Sequence, residues 1–257
     1  MKIGVMGAGT IGSTVVRKLS AAGHEVKVAN SRGPETIDPQ LLVSGARAVV
    51  ADDVVDDVEV LVSSIPLNRM PGVAPLLRRL PEDAVLIDTS NYYPLRDDRI
   101  AAIDEGQVES AWVCELLGRP VAKTWNAIGS GSLADKGTEP GTAGRIAIAV
   151  AADRDHDRAV AMELVDQTGF DPYFSGSIAD SWRHQPGSPA YSTNLTRDEI
   201  EVALAAADRD RIPRRRDLQV AIVMERTDNF ANPVPAMGEW LVQLNRAIYI
   251  GVYPFMK

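Results

Sequence analysis

Gly7, Gly9 and Gly12 follow directly on the apolar run Lys2-Ile3-Gly4-Val5-Met6, with Ala8, Thr10 and Ile11 between them. Glycines at this spacing let a backbone turn hold a dinucleotide pyrophosphate. The first permits the tight turn out of a strand, the second lets the backbone approach the phosphates, and the third lets the next helix pack close to the sheet. The context strengthens the motif. A strand precedes it, Ile11 to Ala22 has Ile11, Val15, Val16 and Leu19 on one helical face, and His24 to Ala29 reads as a second strand.

The end of that second strand narrows the cofactor. An NAD site places a carboxylate there for the ribose hydroxyls, whereas this chain has Asn30-Ser31-Arg32-Gly33-Pro34, with Glu35 a turn too late. A 2′-phosphate needs donors and positive charge, which Ser31 supplies as a hydroxyl and Arg32 as a guanidinium fork. The segment reads as an NADP(H) site; the alternative is a polar βα loop without that role.

Acid–base machinery is sparse. Three histidines, His24, His156 and His184, and one cysteine, Cys114, leave no credible metal site and no internal disulfide, and there is no Gly-x-Ser-x-Gly elbow. Hydride transfer between two ring cofactors needs stacking geometry more than an acid. A carbonyl or imine substrate would need a proton donor, for which Lys123, His184 and Tyr191 are the candidates. Each also has a structural reading: a strand-end cap, a loop-ordering imidazole and a packed phenol.

These residues have to be positioned by alternating strands and helices, as a parallel sheet requires. Further strands are predicted at Arg47–Val50, Val60–Pro66, Ala84–Asp88, Pro120–Trp125, Arg145–Ala151 and Phe170–Phe174. The expected fold is α/β: a Rossmann-type, doubly wound, mostly parallel sheet with a smaller C-terminal helical part. We divide it into an NADP-binding domain, 1–126, and a C-terminal substrate-binding and helical region, 127–257. Ligands in such a sheet lie at the carboxyl ends of the strands, which puts Ser64, Ile65 and Pro66, and Thr89, Ser90 and Asn91, beside the ribose and nicotinamide.

The segment Trp182 to Tyr191 is too rich in proline and polar groups for a regular element. Pro186 and Pro189 stiffen it, so it reads either as a preformed wall over the nicotinamide or as an Ω-like surface loop. Thr196 and Glu199 form a capping box for a helix to about Ala207, and helices are expected at Arg214–Arg226 and Met237–Ile248, the latter with an apolar face suited to a homodimer contact. The arginines from Arg209 to Arg216 form either a solvated helix junction or a dock for an acidic substrate.

The 257 residues carry a net charge of −8, which argues against nucleic acid and anionic membranes as partners. No apolar run reaches the length of a membrane span, and the first strand begins at residue 2, so a cytoplasmic location and a small-molecule partner are expected.

The segments Lys2 to Pro34, Asp88 to Pro94, Val121 to Asn126 and Ser181 to Tyr191 resemble the coenzyme F420 (deazaflavin)-dependent NADP oxidoreductases and a wider group of dinucleotide-binding reductases. The resemblance implies NADP held by Thr10, Ile11, Ser31 and Arg32, with the acceptor near Asn91 and Asn126; Trp182 and Arg183, from the residue types of the stiffened loop, are candidate substrate-binding residues. The founding deazaflavin enzymes are more compact; Tyr92-Tyr93-Pro94 and the last sixty or so residues look more like the broader group. The expected activity is hydride transfer between NADP(H) and an acceptor, a deazaflavin such as F420 or a flavin-like ring, although members of the broader group need not use deazaflavin. The alternatives are reduction of a small carbonyl or imine, or a non-catalytic dinucleotide sensor.

Overall fold

The computed structural model describes residues 1–229 and 237–250. Eight strands form one sheet: β1 (Lys2–Met6), β2 (Glu25–Ala29), β3 (Arg47–Ala48), β4 (Val60–Ser63), β5 (Val85–Asp88), β6 (Ala122–Lys123), β7 (Ala147–Ala152) and β8 (Asp171–Gly176). Their order is β3-β2-β1-β4-β5-β6-β7-β8, and neighbours run parallel except for the antiparallel pair β6 and β7. This is the expected Rossmann-like, mostly parallel sheet. The strand order reverses between β1 and β4, the crevice where such sheets bind ligands. The sheet continues past residue 126, because β7 and β8 extend it.

The central strands are apolar on both faces because both faces are covered. Val60, Val62, Val85 and Ile87 join one core with Val15, Val16 and Leu19 of the helix Thr10–Ala21 and Leu164 and Val165 of the helix Asp155–Gln167. Leu61 and Leu86, one residue out of phase, join a second core with Leu77, Val113 and Leu117 from the helices Met70–Leu77 and Glu109–Leu117. Side-chain alternation along each strand thus feeds two layers of helices.

Several elements differ from the sequence reading. The predicted Pro120–Trp125 strand is only two residues long, because Trp125 turns into the left-handed region at φ 56° and takes the chain out of the sheet. β3 stops at Ala48, with Val50 already capping the 3-10 turn Ala51–Val55. The helix after β4 begins at Met70, with Pro71 in its first turn, where a missing N–H costs nothing. The capping box at Thr196 is present, starting the helix Arg197–Ala205, and Ile200, Ala203 and Leu204 pack it on β7. The chain then runs through the helices Ile212–Thr227 and Met237–Asn245, which return over the strand ends.

Candidate active site

The turn after β1 has the geometry that the three glycines predict. Gly7 has φ 108°, and a Cβ there would lie 2.2 Å from the Ser64 carbonyl oxygen. A Cβ on Gly12 would lie 1.9 Å from the Gly7 carbonyl oxygen, so the helix can sit this close to the turn only without a side chain. Gly9, by contrast, faces open space within 4 Å, and it caps the helix Thr10–Ala21 without a side chain and with no acidic residue in the first turn. Open space, free N–H groups and the positive end of the helix dipole together form a site for a pyrophosphate. Ile65 packs on Gly7 beside Ser64, and Pro66 leads into the turn Leu67–Arg69.

After β2 the three polar residues divide their work. Asn30 shapes the loop: its Oδ1 accepts from the Arg32 N–H at 2.9 Å and its Nδ2 donates to Thr36 Oγ1 at 2.9 Å. Ser31 and Arg32 are exposed, and their side chains make no hydrogen bond to any described residue. They are positioned to receive an anion. These residues fit a dinucleotide.

A cleft of about 410 Å³ opens at the carboxyl ends of β1, β5 and β6. It is lined by Thr10 and Ile11 on the cofactor side and by Asn91, Asn126, Tyr191 and Gln219 on the other. The helix Met237–Asn245 covers it, lying so close to the segment 130–135 that Gly131 and Gly238 meet backbone to backbone. Three non-glycine residues near the cleft, Trp125, Ser192 and Asn194, have positive φ, a strain that the surrounding packing must hold in place.

A network of uncharged groups fixes the far wall. Asn126 Nδ2 donates to Asn91 Oδ1 at 3.2 Å, and Asn91 Nδ2 donates back to the Asn126 carbonyl at 2.9 Å and to the Tyr191 hydroxyl at 3.3 Å. The Tyr191 and Tyr93 hydroxyls lie 2.7 Å apart. Asn91 donates to the Tyr191 oxygen, and either hydroxyl can be the donor between the two tyrosines; when Tyr93 donates, the hydrogen of Tyr191 is left for a ligand. Burial raises both phenols above the ordinary tyrosine range, and their proximity adds to this for Tyr93.

The other two candidate proton donors are placed differently. Lys123 is fully buried, donating to Asp88 Oδ2 at 2.7 Å and to the Ser90 carbonyl at 2.5 Å, and does not line the cleft. His184 sits behind Asn126, its Nδ1 donating to Asn126 Oδ1 at 3.1 Å, and burial depresses it to about 3, so it stays neutral. Trp182 and Arg183 lie off the cleft: the guanidiniums of Arg183 and Arg209 stand 4.4 and 5.8 Å from the Trp182 ring. Of the arginines from Arg209 to Arg216, none lines the cleft; Arg209 bonds the Gly106 carbonyl and Arg216 pairs with Asp217. Sequence reasoning did not single out Tyr93 or Gln219. Tyr93 had one signal, its place two residues beyond Asn91; Gln219 had none.

Glu109 is buried behind this wall, its Oε2 accepting the Tyr92 N–H at 3.1 Å. Burial raises it to about 7, against the pull of Lys123. A raised carboxyl stabilises the fold fully below its unfolded value, and that contribution is lost as pH rises through about 7. Glu109→Gln should therefore gain stability relative to the wild type between pH 5 and pH 8, by up to about 3 kcal/mol. Urea denaturation at both pH values measures this; an unchanged difference refutes the assignment.

Residues 2–92 match the model of a family described as NADP oxidoreductase, coenzyme F420-dependent. That match places the similarity of the N-terminal part with NADP(H)-binding oxidoreductases. The similarity is family-level, to the F420-dependent NADP(H) oxidoreductase-like proteins. It is 59% identical over 51 residues to protein YjhV of Escherichia coli (strain K12), covering 20% of this chain and 37% of that protein. It is 30% identical over 125 residues to glyoxylate/hydroxypyruvate reductase A of Serratia proteamaculans (strain 568), covering 46% of this chain and 38% of that one. The chain thus spans just over a third of the length of these curated relatives. Its fold matches the crystal structure of a hypothetical protein, SMa0349, from Sinorhizobium meliloti with a TM-score of 0.64 at 24% identity, over 77% of this chain and 96% of that one. Among the described residues no cluster of His, Cys, Asp and Glu could hold a metal, and no helix is long and apolar enough to cross a membrane.

Proposed function

We propose that the protein is an NADPH-dependent reductase of a small carbonyl or imine compound. The observation that carries this reading is the Tyr191 hydroxyl. It stands in the same cleft as Thr10 and Ile11 of the cofactor turn, oriented by Asn91 and Tyr93. The cofactor would be held by the backbone around Gly9 at its pyrophosphate and by Ser31 and Arg32 at its 2′-phosphate; when bound, it supplies a hydride to an electrophilic carbon. Tyr191 hydrogen-bonds the substrate oxygen or nitrogen and gives up its proton as negative charge builds there. Tyr93, in contact with Tyr191, passes a replacement proton inward. Met237, Leu241 and Val242 cover the cleft and exclude water.

Deazaflavin reduction is the second reading, favoured by the family that residues 2–92 match. Its acidic tail would need a basic groove, and the described lining of the cleft contains no charged side chain. Incubating the protein with NADPH and either F420 or a panel of aldehydes, ketones and imines separates the two. Bleaching of F420 without turnover of any panel compound would reject the first reading.

The NADP preference rests on Arg32. A charge-assisted hydrogen bond contributes about 1.5–3 kcal/mol, so Arg32→Ala should weaken NADPH by roughly ten- to a hundredfold and leave NADH nearly unchanged. Titration of the protein fluorescence with each cofactor tests this, and equal losses would remove Arg32 from the site.

A further inference from the structure

We propose that the cleft and an apolar trough beside it form one site for an uncharged carbonyl or imine compound with an apolar body, and that Gln219 hydrogen-bonds this compound where the two meet. The words carbonyl and imine rest on the reductase reading; the uncharged, apolar character rests on the side chains alone.

The trough has a volume of about 570 Å³ and shares Tyr93, Gln219, Met237 and Leu241 with the cleft, so the two cavities have a common wall. The rest of its described lining is mainly Leu95, Val220, Val223 and Met224. Such a surface is matched by hydrocarbon, each buried methylene of which contributes favourably.

The one cation in the described lining of the trough is already neutralised. Arg96 donates from Nε and Nη2 to the buried Asp97 carboxylate, at 2.9 and 2.6 Å, and from Nη2 to the Asn91 carbonyl at 2.6 Å. A substrate carboxylate would have to compete with Asp97, and it would find no cation in the described lining of the cleft. Charged 2-oxo acids are therefore poor ligands.

Gln219 supplies the recognition. It lies on the helix Ile212–Thr227, is 9% exposed, and its side-chain amide makes no hydrogen bond to any described residue although it lines both cavities. The amide opens into the cavities, where a ligand that displaces its water must replace the hydrogen bonds it makes there. The amide is neutral, with donor and acceptor side by side, so the matching group on the ligand is a neutral one such as a carbonyl, hydroxyl or amide.

The test uses straight-chain methyl ketones of increasing length, 2-oxo acids of the same lengths, and the corresponding primary amides as unreactive probes. NADPH-dependent turnover is measured for the first two, and calorimetric binding to NADP⁺-loaded protein for the third. KM for the ketones should fall with chain length, and 2-oxo acids should be at least tenfold poorer in kcat/KM. Gln219→Leu should raise ketone KM and amide Kd by roughly tenfold while kcat changes little. Val220→Phe, at a half-buried position of the trough, should abolish the gain with chain length. An unchanged NADPH Kd confirms folding of both variants. Efficient reduction of 2-oxo acids, or an amide Kd indifferent to Gln219→Leu, overturns the proposal. Gln219-dependent amide binding without turnover of any ketone would leave this site standing and reject the reductase reading. Turnover indifferent to chain length and to Gln219 would do the reverse.

Discussion

Tyr191→Phe is expected to lower kcat by about 10²–10⁴-fold, the range in which a positioned general acid contributes. The Tyr191 hydroxyl lines the cleft with its oxygen held from two sides, by Asn91 at 3.3 Å and Tyr93 at 2.7 Å, and when Tyr93 donates to it its own proton is free for the substrate. Phenylalanine keeps the ring and removes only those bonds, so the stability cost should stay near 1 kcal/mol. NADPH affinity, set at the other end of the cleft, should not change. Tyr93→Phe, which leaves the Tyr191 hydroxyl in place and removes only its partner, should have a smaller effect on kcat, about tenfold. Single-turnover oxidation of NADPH by each variant provides the measurement. A Tyr191→Phe enzyme that keeps a substantial share of wild-type kcat would mean that another group, or solvent, supplies the proton.

Lys123→Ala should cost about 3–5 kcal/mol of stability, because it leaves the Asp88 carboxylate charged and alone in the sheet. Both side chains are essentially inaccessible, and Asp88 also accepts the Ser90 N–H at 3.0 Å, so the pair fixes the turn that presents Asn91. Adding Asp88→Asn to Lys123→Met should recover much of the loss, since the pair is then replaced by neutral groups. Urea denaturation of the single and double variants decides it. Lys123→Ala with near wild-type stability but no turnover would instead make Lys123 a catalytic residue.

The sequence reading and the structure part company at particular residues. The turn from Gly7 to Gly12 and the Thr196 capping box were legible because each depends on residues a few positions apart, within the reach of one turn. Tyr191, Lys123 and His184 looked equivalent as proton donors. Their difference depends on which side of a strand end or loop each side chain leaves from, and at β6 the left-handed Trp125 changes that parity. Residue types do not encode such a change. The trough was hidden for a related reason: Leu95 and Met224 are 129 positions apart and meet only when the helix Ile212–Thr227 folds back over the strand ends.

By itself, then, the sequence determined the local devices: the glycine turn and its helix, the apolar strands, and the absence of a carboxylate at the end of β2 with Ser31 and Arg32 in its place. Hydrophobic periodicity and steric freedom act over a few residues, so composition and spacing suffice to specify them. Only the tertiary structure decided that Tyr191 reaches the cleft while Lys123 and His184 are enclosed behind it, that β7 joins the sheet antiparallel, and that the helix Met237–Asn245 closes the site. These depend on contacts between residues far apart in the chain, where burial and hydrogen-bond satisfaction of the whole fold select one arrangement among many that the local pattern allows.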